Sequence, residues 1–498
     1  MTESRRRGAC PGLSAPMPTG DGLLARLMPA APIPLGAMAG LCEAVRRHGN
    51  GVIEITARGS LQMRGLTPRS APLFAAAVAD LGIAAQEGVP VIAGFDDEAV
   101  DCLAAALRRA IGDARLALSP KVSVVVDDDG PLHLDAISAD VRLRVVRSEQ
   151  GPRAHLGIFS GDHSERTAHA LPLPPKGGEG RGEGGVRRGQ TQRCEGIVEA
   201  GSDVRRRGSI SPGTDSQRAL TPTLSPPCGE REPAAASGDV VPTTWLGVVA
   251  PEDAVRAVID ILGIIAAHGP AARVADIFGR AGVAAFRPVV TGVPTPAPPP
   301  RMPADMIGLH AMRDGTAAVG IAAAFGHTDA DALEALVRAA ARYGAQAVRP
   351  APERALLLTG VSARDARDLI AAADRLGFVV RADDPRRRIA ACPGAPACAS
   401  GLIPARMLAS TLAPALAPVL GKVGLESERG GVTVHISGCP KGCAHPGPAA
   451  LTLVGTPEGC GVVHGGTARA TPHYCVDPAR LGDAMARLAA NPREAAHG

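Results

Sequence analysis

Leu41-Cys-Glu-Ala-Val-Arg-Arg-His-Gly49, followed by Val52-Ile-Glu-Ile-Thr56 and Leu61-Gln-Met-Arg-Gly65, returns 295 residues later without a gap. The second copy reads Leu336-Val-Arg-Ala-Ala-Ala-Arg-Tyr-Gly344, then Ala347-Val-Arg-Pro350 and Ala355-Leu-Leu-Leu-Thr-Gly360. In each copy apolar residues recur at three- and four-residue spacing up to a glycine stop, which predicts a helix. Short alternating runs bounded by turn residues then predict two strands. Leu23-Leu-Ala-Arg-Leu27 and Ala317-Ala-Val-Gly-Ile321 place a strand before each helix, so both copies read β-α-β-β. Matching glycines at 49/344 and 65/360 mark a true internal repeat. Further out, helices are predicted over 71–84, 251–268, 361–377 and 478–490, and strands over 121–126 and 432–437. Helices and strands interleave throughout, so the residues themselves predict an α+β or α/β protein.

Two stretches break this pattern. Residues 165–242 are poor in apolar side chains and rich in Pro, Gly, Arg and Glu, and the composition predicts a disordered insertion that holds Cys194 and Cys228 as free thiols. Thr291-Gly-Val-Pro-Thr-Pro-Ala-Pro-Pro-Pro-Arg301 reads as a stiff polyproline linker between the halves. The chain has 498 residues, 53 basic against 49 acidic side chains and a net charge of only +4, so its bulk charge predicts no nucleic-acid partner. Aromatic residues make up 2%, too few for base-stacking platforms. With no apolar run long enough for a membrane span and no apolar leader after Met1-Thr-Glu-Ser-Arg-Arg-Arg7, the expectation is a cytoplasmic protein without a membrane partner.

The sharpest chemical signal is Ala391-Cys-Pro-Gly-Ala-Pro-Ala-Cys398 with Ser437-Gly-Cys-Pro-Lys-Gly-Cys443. Five and three residues lie inside the pairs and forty between them. Four thiolates from two tight loops suit a [4Fe–4S] cluster, because the sulfurs must converge on a compact cubane while backbone N–H groups point at its sulfides. Zinc is the rival, but zinc knuckles prefer two to four residues within a pair. Cys392, Cys398, Cys439 and Cys443 are therefore the predicted cluster ligands. Cys10, Cys42, Cys102, Cys460 and Cys475 lack such pairing and read as buried small hydrophobes. His435 reads as a hydrogen-bonded structural histidine rather than an iron ligand, and Arg5–Arg7 and Arg386–Arg388 as solvated basic runs.

The cysteine arrangement, the repeat, Thr56-Ala-Arg-Gly-Ser-Leu-Gln62 and Leu118-Ser-Pro-Lys-Val-Ser123 resemble the nitrite and sulfite reductase hemoprotein superfamily. The opening Arg6-Arg-Gly-Ala-Cys-Pro-Gly-Leu-Ser-Ala-Pro-Met-Pro-Thr-Gly-Asp-Gly-Leu-Leu24 is most similar to its branch that hydroxylates precorrin-3A in aerobic cobalamin synthesis. The resemblance covers nearly everything except 165–242. It implies an α+β fold of two ferredoxin-like half-domains (15–75 and 305–380) and two α/β nitrite/sulfite-reductase-type domains in pseudo-twofold arrangement. The first of these would span 76–164 and 243–290 and the second, cluster-binding one 381–490, with a tail at 1–14 and the linker at 291–304.

The resemblance further implies an oxidoreductase, a monooxygenase that takes precorrin-3A and O2, hydroxylates a meso carbon (C-20) and closes a lactone from the ring-A acetate. Electrons derived from NADH would arrive through a separate reductase or ferredoxin, since the chain has no Gly-rich dinucleotide fingerprint. An additional non-heme iron is a further expectation. In the reductases the Thr-x-Arg arginine binds siroheme carboxylates, which here is Arg58. A precorrin carries many carboxylates that guanidinium forks hold bidentately, so Arg64, Lys121, Arg142 and Arg144 are further substrate-binding candidates. The second of the two lysines that sulfite reductases place one residue apart is Ser123 here. A siroheme-dependent nitrite or sulfite reductase and an iron–sulfur electron carrier are the alternative readings.

Overall fold

A computed structural model describes residues 11–148, 151–161, 241–289, 297–302, 304–422, 433–445, 447–477 and 480. The first repeat folds as β1 (Met17–Thr19), β2 (Gly22–Leu27), β3 (Ile33–Pro34), α1 (Leu35–His48), β4 (Val52–Ile55), β5 (Leu61–Leu66) and α2 (Ser70–Asp80). Helix α1 forms because Leu35, Met38, Leu41, Cys42 and Val45 make one buried stripe. The C-terminal half-domain adds β11 (Gly308–Ala311), β12 (Ala317–Ala322), β13 (His327–Asp329), α6 (Ala330–Arg342), β14 (Ala347–Ala351), β15 (Ala355–Val361) and α7 (Ala366–Arg375). Here Asp329 caps the helix by accepting from the Ala332 N–H at 2.7 Å. The offset read from the sequence carries β2 onto β12, β4 onto β14, β5 onto β15 and α1 onto α6. Gly65 and Gly360 both have left-handed backbones, with φ of 71° and 82°, and a Cβ on Gly65 would come within 2.4 Å of the Asn50 side chain.

The two copies are interlocked. One sheet runs β1-β2-β5-β4-β13 and the other β11-β12-β15-β14-β3, so each takes its last strand from the other half. Thr328 pairs with Ile53 and Val348 with Ile33, both antiparallel. One core follows, in which Leu41, Ile53 and Met63 share a cluster with Leu336, Val348 and Leu358. Arg46 of α1 also reaches Asp331 and Glu334 of α6 at 2.9 and 2.6 Å.

The other two sheets share a topology. Strands β6 (Val91–Ala93), β7 (Val124–Asp127) and β8 (Val141–Ser148) are parallel, and β9 (Gly151–Phe159) and β10 (Thr243–Val249) complete the sheet antiparallel. Helices α3 (Glu98–Ala114), α4 (Pro251–Ala267) and α5 (Val274–Ala281) belong to this domain, and α3 and α4 are packed on the sheet through Leu107, Ile261 and Leu262. In the last domain β16 (Ile389–Ala391), β17 (Val434–Ser437) and β18 (Ala449–Thr456) are parallel, β19 (Gly459–Gly466) and β20 (Tyr474–Val476) antiparallel, and α8 (Ala405–Lys422) follows β16. The expected α+β class thus holds. The loops after β16 and β17 stand where those after β6 and β7 stand, so the cysteine loops have loops of other composition as counterparts. Among the described residues no helix is long and apolar enough to cross a membrane.

Residues 1–10, 162–240 and 290–296 and the helix expected over 478–490 lie outside the described residues, apart from Arg480. Two boundaries shift. Val241 is buried and the Pro242 carbonyl accepts from the Ser160 N–H at 3.0 Å, so the sheet domain resumes before 243. The linker's end is no free spacer, because the Pro299 carbonyl accepts from Arg144 at 2.7 Å and Arg301 pairs with Asp127 and Asp135. Because Phe159 pairs with Thr243 in neighbouring antiparallel strands, the chain leaves and re-enters the sheet side by side. Replacing 165–240 by a short Gly-Ser join is therefore expected to preserve melting temperature and iron content, since loop-closure cost grows only slowly with length. A deletion variant that melts earlier or loses iron would contradict this.

Candidate functional site

Cys392 follows directly on β16 and continues the parallel ladder, its N–H donating to Ile436 at 3.2 Å. The chain then turns tightly, with Cys398 N–H donating to the Gly394 carbonyl at 2.8 Å and Gly401 N–H to that of Cys398 at 2.8 Å. Leu402 N–H donates to the Gly438 carbonyl at 2.7 Å, which ties this loop to the one that carries Cys439 and Cys443. The Gly438 N–H in turn donates to Cys392 Sγ at 3.0 Å. A Cβ on Gly438 would come 2.8 Å from the Gly394 Cα, so only glycine lets the two loops meet. Burial pushes the Cys392 thiol up against the pull of the Gly438 and Gly394 N–H groups, with the Cys398 and Cys439 sulfurs adding to the rise. Burial likewise raises Cys443, and all three other sulfurs contribute. The Cys392 and Cys443 sulfurs therefore lie near the other members of the set, whose charge opposes the ionisation of these two. A polycationic core with thiolate ligands relieves that opposition, and the donor set fits an iron–sulfur group.

The first half-domain clamps this loop, which the sequence does not reveal. A Cβ on Gly20 would come within 2.4 Å of the Ala399 nitrogen. Arg64 is buried, holds Asp21 through Nε and Nη2 at 3.0 and 2.9 Å, and donates to the Ala397 carbonyl at 2.7 Å. The structure thus places Arg64 as a brace of the cysteine loop, with its guanidinium already engaged.

Arg58 sits exposed on the turn between β4 and β5, and its Nη2 donates to Ser123 Oγ at 2.8 Å and to the Ser138 carbonyl at 2.7 Å. Exposed Lys121 lies two residues before Ser123 on the same loop. An open cavity of about 640 Å³ adjoins it, lined by Arg108, Arg109, Arg115, Leu118, Ser119 and Pro120. Those three arginines carried no motif that sequence reasoning could use. Arg142 and Arg144 do share one strand face, but both are buried, where burial lowers their pKa. Arg142 donates to the Leu134 and Ile137 carbonyls at 3.1 and 2.6 Å, so these two arginines pin neighbouring loops inside the domain. Asp127, His133 and Asp135 bring ligand atoms within 4.8 Å of one another, the one such grouping among the described residues. Arg301 meets both carboxylates at 2.7 and 2.6 Å, so each already has a cationic partner.

Other expectations are corrected. Cys102 and Cys475 are exposed, whereas Cys42 and Cys460 are buried as expected. Arg386 and Arg387 are not solvated charges, because Arg386 grips Asp384 and Arg387 bridges Asp305 and Glu353. His435 is fully buried, yet neither ring nitrogen has a hydrogen-bond partner among the described residues. Burial, with Arg406 adding, lowers the His327 pKa to about 3, and burial, with His445 and Arg354 adding, lowers that of His435 to about 4. Both are neutral when folded, while the unfolded chain binds protons near pH 6.5. Stability therefore falls as pH drops from 7 toward 4, and urea midpoints are expected to be lower at pH 5 than at pH 7. Equal midpoints would contradict it.

The family described as nitrite/sulfite reductase ferredoxin-like half domain matches residues 16–81 and 310–376. The fold resembles that of the Mycobacterium tuberculosis NirA protein, with a TM-score of 0.61 over 94% of this chain and 80% of that one at 19% identity. These define the class: a protein built around two nitrite/sulfite reductase ferredoxin-like half domains. A precorrin-3B synthase of Sinorhizobium sp is 34% identical over 97% of this chain and 88% of its own length. A sulfite reductase (ferredoxin) of Mycobacterium tuberculosis is 33% identical over 32% of this chain and 28% of its own. The chain belongs to the precorrin-3B synthase family.

Proposed function

We propose that the protein is a precorrin-3B synthase, hydroxylating precorrin-3A at C-20 with O2 and closing the ring-A acetate onto the macrocycle as a lactone. The observation that carries this reading is the near-full-length likeness to a synthase, against a likeness to sulfite reductase over a third of the chain. One oxygen atom enters the substrate and the other leaves as water, with two electrons and two protons supplied by a separate donor protein. Cys392, Cys398, Cys439 and Cys443 would hold a [4Fe–4S] cluster, which supplies one-electron transfer when bound. Arg58 and Lys121, exposed beside one loop, would bind precorrin carboxylates. Arg64, Arg142 and Arg144 would act through the loops they hold, since their guanidinium groups are spoken for. Ser123, which accepts from Arg58, keeps that guanidinium aimed across the seam between half-domain and sheet domain.

Purified protein, given precorrin-3A, O2 and a reducing system, is expected to yield the hydroxylated lactone, read by mass as one added oxygen atom. Failure to consume precorrin-3A, with turnover of sulfite or nitrite instead, would overturn the reading.

A further inference from the structure

The open cavity of about 640 Å³ lies between the C-terminal half of α3, residues 85–89 and the loop that leads to Lys121. Its wall is amphipathic. Ile111, Leu116 and Leu118 give it an apolar side, and Arg108, Arg109 and Arg115 a cationic one. Glu87 is the single acid among the lining residues, and its Oε1 accepts from the Ser14 N–H at 3.3 Å. Arg109 and Arg115 are exposed, and among the described residues neither meets a carboxylate. Three guanidinium groups against one carboxylate leave the wall with an excess of positive charge.

This cavity is continuous with the Arg58 site. A smaller recess of about 40 Å³ is lined by Arg58 and Arg349, and it shares Ala30, Gln86 and Arg108 with the larger cavity. Arg108 is the partition between the two, since its Nη1 and Nη2 donate to the Ala30 and Val91 carbonyls at 3.0 and 3.1 Å and so hold α3 to the first half-domain and to β6. A cationic surface therefore runs from the Arg58 turn past Arg108 to the end of α3. The second observation is independent. Arg115 closes α3 with a left-handed backbone, φ 46° and ψ 37°. Glycine takes that conformation freely and is the usual residue at such a helix end, whereas an L side chain is strained there. Strain of this kind collects at ligand sites, and here it falls on a residue whose side chain lines the cavity.

We infer that the cavity at the end of α3 is a second carboxylate subsite of the precorrin site, in which Arg109 and Arg115 hold acidic side arms of the tetrapyrrole that Arg58 does not reach. The guanidinium forks take the carboxylates, and Ile111, Leu116 and Leu118 take the methylene stems and the ring edge. A concave site of this volume, apolar on one side, suits a small amphiphile rather than the convex surface of a protein. The inference rests on the reading of precorrin-3A as substrate.

Anaerobic absorbance titration of the cluster-loaded protein with precorrin-3A tests it. Arg109→Gln and Arg115→Gln are each expected to raise Kd about threefold and the double variant about tenfold, the worth of exposed ionic contacts that add. Arg115→Gly should bind as weakly as Arg115→Gln while melting no earlier than wild type, because glycine adopts the left-handed backbone without strain. The exposed control Arg367→Gln should bind as wild type does, and the visible cluster band should be unaltered throughout. If Arg115→Gly does melt earlier, Arg115→Gln and the double variant decide the matter. Wild-type Kd in the double variant overturns the subsite while leaving the substrate reading intact. If the double variant binds precorrin-3A normally but loses a thermal stabilisation that inorganic phosphate gives the wild type, the cavity is a free-anion site and the assignment to a tetrapyrrole arm falls. If wild type itself does not bind precorrin-3A, the substrate reading falls and the subsite with it.

Discussion

Serine in place of any one of Cys392, Cys398, Cys439 and Cys443 is expected to strip the visible band and abolish turnover. Iron and sulfide in the wild type should each approach about four per chain, the stoichiometry of a cubane on four thiolates. The effect should be near total because the two loops depend on each other. Gly438 N–H rests on Cys392 Sγ, and Leu402 N–H on the Gly438 carbonyl, so losing one ligand loosens both loops. Cys42→Ser and Cys102→Ser should keep the full load, since neither residue belongs to these loops. Iron and sulfide analysis of the purified variants decides it, and a complete load in all four ligand variants would sink the assignment.

Arg58→Ala is expected to weaken precorrin-3A binding about tenfold or more with the cluster spectrum unaltered, the worth of one charge-assisted hydrogen bond. Ser123→Lys should weaken binding comparably, because it exchanges the hydroxyl that accepts from Arg58 for an ammonium that repels it. The same geometry bears on the alternative chemistry. Where sulfite reductases place a second lysine this chain has a buried serine, which cannot offset the charge of sulfite or protonate its oxygens as an ammonium does. Sulfite and nitrite turnover should therefore be far slower than precorrin turnover. Comparable rates, or unchanged affinity in both Arg58→Ala and Lys121→Ala, would defeat this.

The repeat was legible because its helix and strands keep one gap-free register and local periodicity reports them directly. The exchange of β3 and β13 was not, since two or three residues carry no periodicity and their partners lie about 300 positions away. The second repeat hides for another reason. The loop after β6 has four residues before α3 and that after β16 has thirteen before α8, so no constant offset aligns them. Thiolate spacing is local and could be read, whereas Gly20 and Arg64, which hold the Cys398 loop, come from the far end of the chain. Arg142 and Arg144 show the limit of reading charge as exposure. Alternation places them on one face correctly, but it cannot say that the linker's end covers that face. His435 shows the converse, a buried group whose missing partner becomes apparent only once its neighbours are in place.

The strand exchange makes the molecule a domain-swapped dimer written on a single polypeptide. Each repeat alone would present β4 or β14 as a bare sheet edge, the template for indiscriminate pairing and aggregation, and only its sibling supplies the strand that covers it. The two copies are thus bound to inherit one another's company. Such mutual dependence frees them to specialise, with Arg58 on one turn and Glu353 at the same place on the other, because neither copy can be lost without unmaking the other.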